Sequence, residues 1–97
     1  MNRAELKFLL KYGRAVKYYH YGVYWIVEYH GKWYDIGRLK IGDWRLCEIS
    51  ENEAKAVIVQ ESTFLTKWSW RKAQKLFGWE SIEEYLEKRF GGRDENY

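Results

Sequence analysis

Short runs of apolar and polar positions alternate from Ala15 to Glu61, in a stretch rich in Tyr, Trp, Val and Ile and free of proline. Residues of these types favour the pleated, half-buried surface of a strand. His30-Gly31 lies between two apolar runs and predicts a two-residue hairpin loop, in which Gly31 supplies a positive φ. The pattern therefore predicts an antiparallel sheet at the centre of the fold.

This hairpin predicts a register that separates the side chains of the two strands onto two faces. One face carries two apolar cross-strand pairs and is the predicted core face: Val27 with Tyr34 and Trp25 with Ile36. The other face carries aromatic side chains among charged ones: Tyr24, Glu28, Trp33 and Asp35. Aromatic rings mixed with charges are typical of a binding surface, so the second face is the predicted functional face.

The second half of the stretch contains a further predicted turn at Lys40–Asp43 and a hairpin around Glu51-Asn52, formed by WRLCEIS and EAKAVIVQES. The predicted pairs of this hairpin are Glu48 with Lys55 and Leu46 with Val57. A helix from Ser50 is the alternative, because Ser50 and Glu53 have the spacing of a capping box. The adjacent β-branched residues of AVIV favour the strand.

One helix is predicted before the sheet. Asn2 is its cap, Glu5 lies three residues on, and Gly13 is predicted to end it in the left-handed conformation. Its apolar stripe is Leu6, Leu9 and Leu10, and its basic residues are Arg3, Lys7, Lys11 and Arg14. A solvated basic side is the ordinary interpretation of the second group.

Two helices are predicted after the sheet. The first has a predicted cap at Thr66, covers KWSWRKAQKLF and ends at Gly78. The second begins at a capping box of Ser81 with Glu84, covers IEEYLEKRF and ends at Gly91-Gly92. The predicted core face of the last helix is Ile82, Tyr85, Leu86 and Phe90, and the tail from about residue 92 is predicted to be frayed. The chain is thus predicted to be one α+β domain over residues 1–97, with an N-terminal helix, a four-stranded antiparallel meander and two C-terminal helices.

Composition adds that aromatic residues make up 20% of the 97-residue chain, including six Trp and nine Tyr. A core of this size does not hide them all, so some are expected at the surface. The net charge of +3 is uneven, since nine basic and four acidic residues precede position 46. Asn and Gln are scarce and charged residues abundant, a composition typical of heat-adapted proteins.

The single cysteine, Cys47, excludes an internal disulfide framework and favours a cytoplasmic location. No apolar run approaches the roughly 18 residues of a membrane span, so no membrane association is expected. The sequence contains no phosphate-binding loop, dinucleotide motif or paired-cysteine metal motif, and it predicts neither a catalytic site nor a cofactor. His20, His30 and Cys47 match no standard metal spacing.

The helix after Thr66 has the most informative pattern outside the sheet. At about 100° per residue, Trp70 falls on its apolar side with Ala73, Leu76 and Phe77. Trp68 falls on the opposite side, among four cations: Lys67, Arg71, Lys72 and Lys75. Cations neutralise phosphates and flat rings stack on bases, so this side is a candidate nucleic-acid surface.

The sheet supplies the other candidate contacts, Tyr24, Trp33, Arg38 and Arg45, together with the aromatic cluster Tyr18, Tyr19, His20 and Tyr21. The structural alternative is that helices cover both faces and that these rings are core. The favoured function is binding of single-stranded DNA or RNA. A protein–protein module, such as a small homodimer or a viral or mobile-element factor, is the alternative, because Tyr, Trp and Arg are also typical of protein interfaces.

Three short motifs resemble the ASCH domains of the PUA-like superfamily and follow one another in the order that family has them. Along the chain they are Leu9–Arg14; Arg38-Leu39-Lys40-Ile41-Gly42-Asp43; and Ala73 with Gly78-Trp79, Ser81 and Glu83-Glu84. The resemblance implies recognition of RNA or of a modified nucleoside. Family hydrolases use a Lys, a Thr and a Glu, whereas the corresponding positions here are Lys17, His20 and Leu76, which puts the hydrolase activity in doubt. The element order is also similar to that of single-stranded-DNA-binding proteins of heat-loving archaea.

Overall fold

The computed structural model describes residues 3–20, 22–38, 42–60 and 64–94. Its helices and strands in chain order are α1 (Arg3–Tyr12), β1 (Arg14–Tyr19), β2 (Val23–Tyr29), β3 (Lys32–Arg38), β4 (Trp44–Ile49), α2 (Glu51–Ile58), α3 (Phe64–Phe77) and α4 (Ile82–Asp94). The four strands form one antiparallel meander in the order β1-β2-β3-β4. The predicted α+β class, N-terminal helix and four-stranded meander are confirmed, but three helices follow the sheet instead of two.

The β2–β3 hairpin has the predicted turn and register. His30 and Gly31 both have positive φ, at 49° and 80°, as a two-residue loop of this kind requires. Val27 pairs with Tyr34, Trp25 with Ile36, and Glu28 with Trp33, as predicted. The side chain of Glu28 also accepts a hydrogen bond from the Gly31 amide, at 3.0 Å, which ties the turn to the strand.

The predicted strand after Glu51-Asn52 is wrong, because residues 51–58 form α2. Ser50 Oγ accepts a hydrogen bond from the Glu53 amide, and the Glu53 carboxylate accepts one from the Ser50 amide, each at 3.1 Å. This reciprocal capping satisfies two donors that a helix would otherwise leave unpaired. Ala54 and Ile58, one helical turn apart, are buried, and Lys55 pairs with Glu80 rather than with a strand neighbour.

The sheet has two differently covered faces. The face under α2, α3 and α4, called the helix-covered face below, carries the larger core: Val16, Tyr18, Ile26, Ala54, Ile58, Trp70, Ala73, Trp79 and Tyr85. On the opposite face, called the α1 face, Leu6 and Leu9 of α1 pack on Val27 and Ile36. The predicted core face is therefore the one with a single helix, and the predicted functional face is the one that three helices cover.

The end of α1 approaches β2 so closely that only glycine fits at position 13. A Cβ there would collide with Cγ1 of Val27 and with the carbonyl oxygen of Leu9. The positive φ predicted for Gly13 is not found. The predicted cap of α1, Asn2, lies outside the described residues. Close packing, rather than a left-handed cap, therefore accounts for this glycine.

The predicted ends of the last two helices are partly right. Gly78 ends α3 with φ 73°, and its amide donates to the Gln74 carbonyl at 3.0 Å. The Glu84 amide donates to Ser81 Oγ, which caps α4 as predicted. Thr66 is not a cap, because α3 begins at Phe64 and Thr66 is buried inside it.

The C-terminal part of α4 differs from its predicted end and core face. The helix continues through Gly91-Gly92 to Asp94 rather than stopping there, so the predicted frayed tail does not begin at residue 92. Tyr85 is buried, but Leu86 and Phe90 are exposed. The predicted core face of this helix is therefore correct only near its start, where α3 packs against it.

Candidate nucleic-acid interface

Helix α3 has the predicted orientation except at Leu76, which was predicted on the apolar side but is exposed beside Lys72 and Lys75. Trp70 is fully buried, and its Nε1 donates to the Glu80 carbonyl at 2.9 Å, whereas Trp68 remains 41% exposed. The Nζ atom of Lys72 lies 5.3 Å from the Trp68 ring centroid. All four predicted cations of the helix are exposed: Lys67, Arg71, Lys72 and Lys75. The structure thus brings Trp68 and these cations together on one side, called the α3 basic side below.

Two hydrogen bonds fasten α3 along the outer edge of β1. Ser69 Oγ donates to the Lys17 carbonyl at 2.9 Å, and Arg14 Nη1 donates to the Leu76 carbonyl at 2.8 Å. The two anchors are seven residues apart in the helix and three apart in the strand, about 10 Å in each case. Helix and strand therefore run antiparallel and side by side, and the helix protects the otherwise unpaired sheet edge.

The α3 basic side adjoins the α1 face across this edge. A cleft beside the edge is lined by Ala15, Val16, Lys72, Lys75 and Leu76. Ala15 belongs to the α1 face, because it pairs with Val27 in the sheet. Val16 of the helix-covered face lines the same cleft, so Lys72 and Lys75 lie at the β1 edge, next to both faces.

Tyr24 and Trp33 do not form the predicted open platform, because both lie on the helix-covered face. The Tyr24 ring stacks on Tyr18, with centroids 5.3 Å apart, and lies over Gly37. The Trp33 ring contacts Phe77 at 4.7 Å and also Trp79. The structural alternative, that these rings belong to the core, is what the structure has.

Arg45 also lies on the helix-covered face, where it faces a buried carboxylate. Its Nη2 is 3.4 Å from Oδ2 of Asp35, and the Tyr18 hydroxyl donates to Oδ1 of Asp35 at 2.9 Å. Burial raises the pKa of Asp35 above its usual value, and burial together with this carboxylate raises the pKa of Tyr18. Arg45 therefore compensates an internal charge. It does not lie with the α3 basic side.

The α1 face carries an aromatic pair, of which Trp25 was predicted on the core face and Trp44 was given no role. The rings of Trp25 and Trp44 stack with centroids 5.7 Å apart and an interplanar angle of 25°. Lys17 Nζ lies 5.9 Å from the Trp25 centroid, and Arg38 Cζ lies 5.9 Å from the Trp44 centroid. We call these four residues the tryptophan platform. Of its members, only Arg38 was predicted as a contact.

A signal for this platform was present in the alternation of the strands. Lys17 is opposite Trp25 in the β1–β2 ladder, and Arg38 is opposite Trp44 in the β3–β4 ladder. Cross-strand neighbours lie on one face, so each indole is predicted to share its face with a cation. Tyr19 follows Lys17 on the same face and is exposed, whereas Tyr18 points to the core. His20 is half-buried, and Tyr21 lies outside the described residues.

Helix α1 leaves Trp25 and Trp44 half-buried rather than fully covered, because it crosses the other half of the face. Its Phe8 contacts Tyr29 at 5.2 Å, so one flank of α1 points to the hairpin end of β2. Trp25 lies on the opposite side of Val27 along β2, under the other flank. At about 100° per residue, that flank carries Arg3, Lys7 and Leu10. Two further cations of α1 thus border the platform.

A comparison with known protein families, curated proteins and solved structures finds no match to this chain. Within residues 3–20, 22–38, 42–60 and 64–94, no three His, Cys, Asp or Glu side chains converge as metal ligands would. None of the helices in these ranges has the length and apolar character needed to cross a membrane. The functional argument therefore rests on the tryptophan platform and the cations around it.

Proposed function

We propose that this protein binds single-stranded nucleic acid on the α1 face of its sheet. The observation that carries the proposal is the tryptophan platform, in which two stacked indoles are flanked by Lys17 and Arg38. Indole faces stack on bases with about 1–3 kcal/mol per base, and cations neutralise the adjacent phosphates. Both interactions are tolerant of sequence, so we expect little base preference.

The cations around the platform are available to a ligand. Between described residues, no ion pair involves Lys17, Arg38 or Lys72, which instead lie against aromatic rings. Lys72 and Lys75 extend the positive surface across the β1 edge. An anionic polymer that binds here replaces solvent around charges that form no ion pair with another described residue, which favours a phosphodiester backbone over a neutral peptide.

A single strand fits this surface better than a duplex. In a duplex, neighbouring base pairs cover the faces of each base, so an indole gains a stack only by unstacking them. Helix α1 also stands about 10 Å above the sheet and borders the platform. A flexible strand can place a base on the platform beside this helix, whereas a straight duplex meets α1 first.

A protein–protein module is the second candidate, because Leu86 and Phe90 form an exposed apolar pair one turn apart on α4. This pair has both acidic and basic neighbours: Glu83 and Glu87 lie beside it, and Arg89 Cζ lies 5.5 Å from the Phe90 ring centroid. The two functions use different surfaces. Size-exclusion chromatography of the variant Leu86→Ala/Phe90→Ala separates them, since only a dimer through α4 would dissociate.

The proposal is tested by titrating the protein with single-stranded DNA and RNA oligonucleotides and following tryptophan fluorescence. We expect quenching with a Kd in the micromolar range or below at low salt, and weaker binding as salt rises. Lys17→Glu should weaken binding strongly, while Lys88→Glu, the same charge change on exposed α4, should not. Absence of quenching by any oligonucleotide at low salt would overturn the proposal.

A further inference from the structure

A second aromatic group, which includes two exposed rings, lies on the flank of α1 that points away from the tryptophan platform. Phe8 and Tyr12 are 43% and 59% exposed, with ring centroids 4.9 Å apart. Tyr29 meets Phe8 edge-on at 5.2 Å and stacks on His30 at 4.1 Å with an interplanar angle of 9°. We call these four residues the α1 aromatic cluster.

Packing within the fold accounts for Tyr29, which is half-buried against the core, but not for Phe8 and Tyr12. The packed side of α1 is Leu6 and Leu9, and Phe8 and Tyr12 lie outside it. Exposure of adjacent rings to water is unfavourable and adds nothing to the core, and such apolar patches mark interaction surfaces. The Lys11 ammonium lies 5.2 Å from the Tyr12 ring centroid, so the cluster has the same combination of ring and cation as the platform.

A basic ridge separates the two aromatic groups. With Leu6 and Leu9 facing the sheet, helical geometry puts Lys11 on the outer side of α1 and Lys7 between it and the platform flank. Phe8 and Tyr12 then lie on the far flank. Glu5 is the only acidic residue of α1. A path from the platform to the cluster therefore passes Lys7 and Lys11, which suits a phosphate backbone better than a peptide.

We infer that the α1 aromatic cluster is a second stacking site for the same strand, which crosses α1 over Lys7 and Lys11. This inference rests on the proposed function. Trp25 and Tyr29 are four residues apart on one face of β2, about 13 Å. A strand that joins them over α1, which stands about 10 Å above the sheet, follows a longer path than this. At about 3.4 Å per stacked nucleotide, a trinucleotide is too short to engage both sites, whereas a dodecanucleotide, about 40 Å long, can do so.

The test compares the affinity of a trinucleotide and of a dodecanucleotide for the wild-type protein and for Phe8→Ala/Tyr12→Ala. Two linked contacts bind a long strand much more tightly than either alone. The double variant should lose at least about tenfold in affinity for the dodecanucleotide and stay within about twofold for the trinucleotide. Leu86→Ala/Phe90→Ala is the matched control, since it also removes two exposed apolar side chains one helical turn apart.

The outcomes separate this inference from the proposed function. If neither length binds, the proposed function fails. If the double variant binds the dodecanucleotide like the wild type, or weakens both lengths equally, the platform function stands and the second site is refuted. A wild-type dimer that becomes monomeric in the variant would refute it too, by showing a contact between copies. Should the double variant fail to fold, Lys11→Glu gives the same length test, since Lys11 is exposed and lies away from the platform flank of α1.

Discussion

Truncation of the two tryptophans of α3, which lie two positions apart, should lower the free energy of unfolding by very different amounts. Trp70 is fully buried, and its ring contacts Trp79 and Tyr85 with centroids 5.0 Å away in both cases. Burying a Trp side chain removes about 150–250 Å² from water, worth about 4–6 kcal/mol at about 25 cal/mol per Å². Trp70→Ala also removes the donor to the Glu80 carbonyl. We expect a loss of about 4 kcal/mol in the free energy of unfolding.

Trp68→Ala should cost far less stability, because the ring is 41% exposed and its described partner is the Lys72 ammonium. An exposed cation–π contact contributes about 0.5–1 kcal/mol, and we expect a total loss of about 1 kcal/mol. If Trp68 also stacks on a base next to the tryptophan platform, the same variant should weaken binding by about 1–3 kcal/mol.

Urea denaturation followed by circular dichroism measures the first quantity, and fluorescence anisotropy of a labelled oligonucleotide measures the second. For a domain of this size, 1 kcal/mol corresponds to about 4–8 °C in Tm, so the two variants should differ by more than 10 °C. Trp70→Phe serves if Trp70→Ala is too unstable to study. Equal destabilisation by Trp68→Ala and Trp70→Ala would refute the assigned orientation of α3. A stable Trp68→Ala protein with unchanged affinity would remove Trp68 from the interface.

Two further predictions concern the sheet. Gly37→Ala should lower the stability of the protein by about 1–3 kcal/mol, measured by thermal denaturation, because the new Cβ would lie 2.5 Å from two ring carbons of Tyr24. Gly22→Ala is the control: its Cβ meets only ordinary van der Waals contacts, so the stability should change little. Burial raises the pKa of Asp35, so the contribution of Asp35 to stability is lost as pH rises, and the stability of Asp35→Asn relative to wild type should rise with pH between about pH 3 and pH 7. Hydrogen bonds from a guanidinium and a backbone amide lower the pKa of Glu28, so its contribution is lost as pH falls, and the relative stability of Glu28→Gln should fall with rising pH over the same range. Curves of stability against pH that run parallel for both variants and the wild type would contradict both assignments.

The segment that was predicted as a strand and is a helix shows how local signals compete. Adjacent β-branched residues at 57–59 favour a strand, and the capping box of Ser50 and Glu53 favours a helix. Periodicity does not decide between them, because Ala54 and Ile58, four residues apart, share one face in a strand as well as in a helix. The capping box was the more reliable signal, since both of its hydrogen bonds form and the helix buries Ala54 and Ile58 in the core.

The sequence predicts the register of the β2–β3 hairpin well but not the identity of its core face. Turn chemistry at His30-Gly31 sets the register locally. Both faces of β2 are apolar, with Tyr24 and Ile26 on one and Trp25 and Val27 on the other. Which face receives α2, α3 and α4 depends on connections after β4, which no local pattern encodes. For the same reason the basic side of α3 was predictable from the sequence, and so was a cation beside each indole, whereas the choice of sheet face left without the three helices was not.

The open half of the α1 face follows from the sizes of the elements. Four strands about 4.8 Å apart and about 20 Å long present roughly 400 Å² per face, whereas a ten-residue helix covers about 15 Å by 10 Å. Three helices suffice for one face, and one short helix cannot cover the other. A further helix of ordinary composition would seal Trp25 and Trp44, but it would also desolvate Lys17 and Arg38 without giving either a counter-charge. A partner that covers this surface therefore has to bring negative charge along with flat apolar surface, and a single-stranded nucleic acid has both.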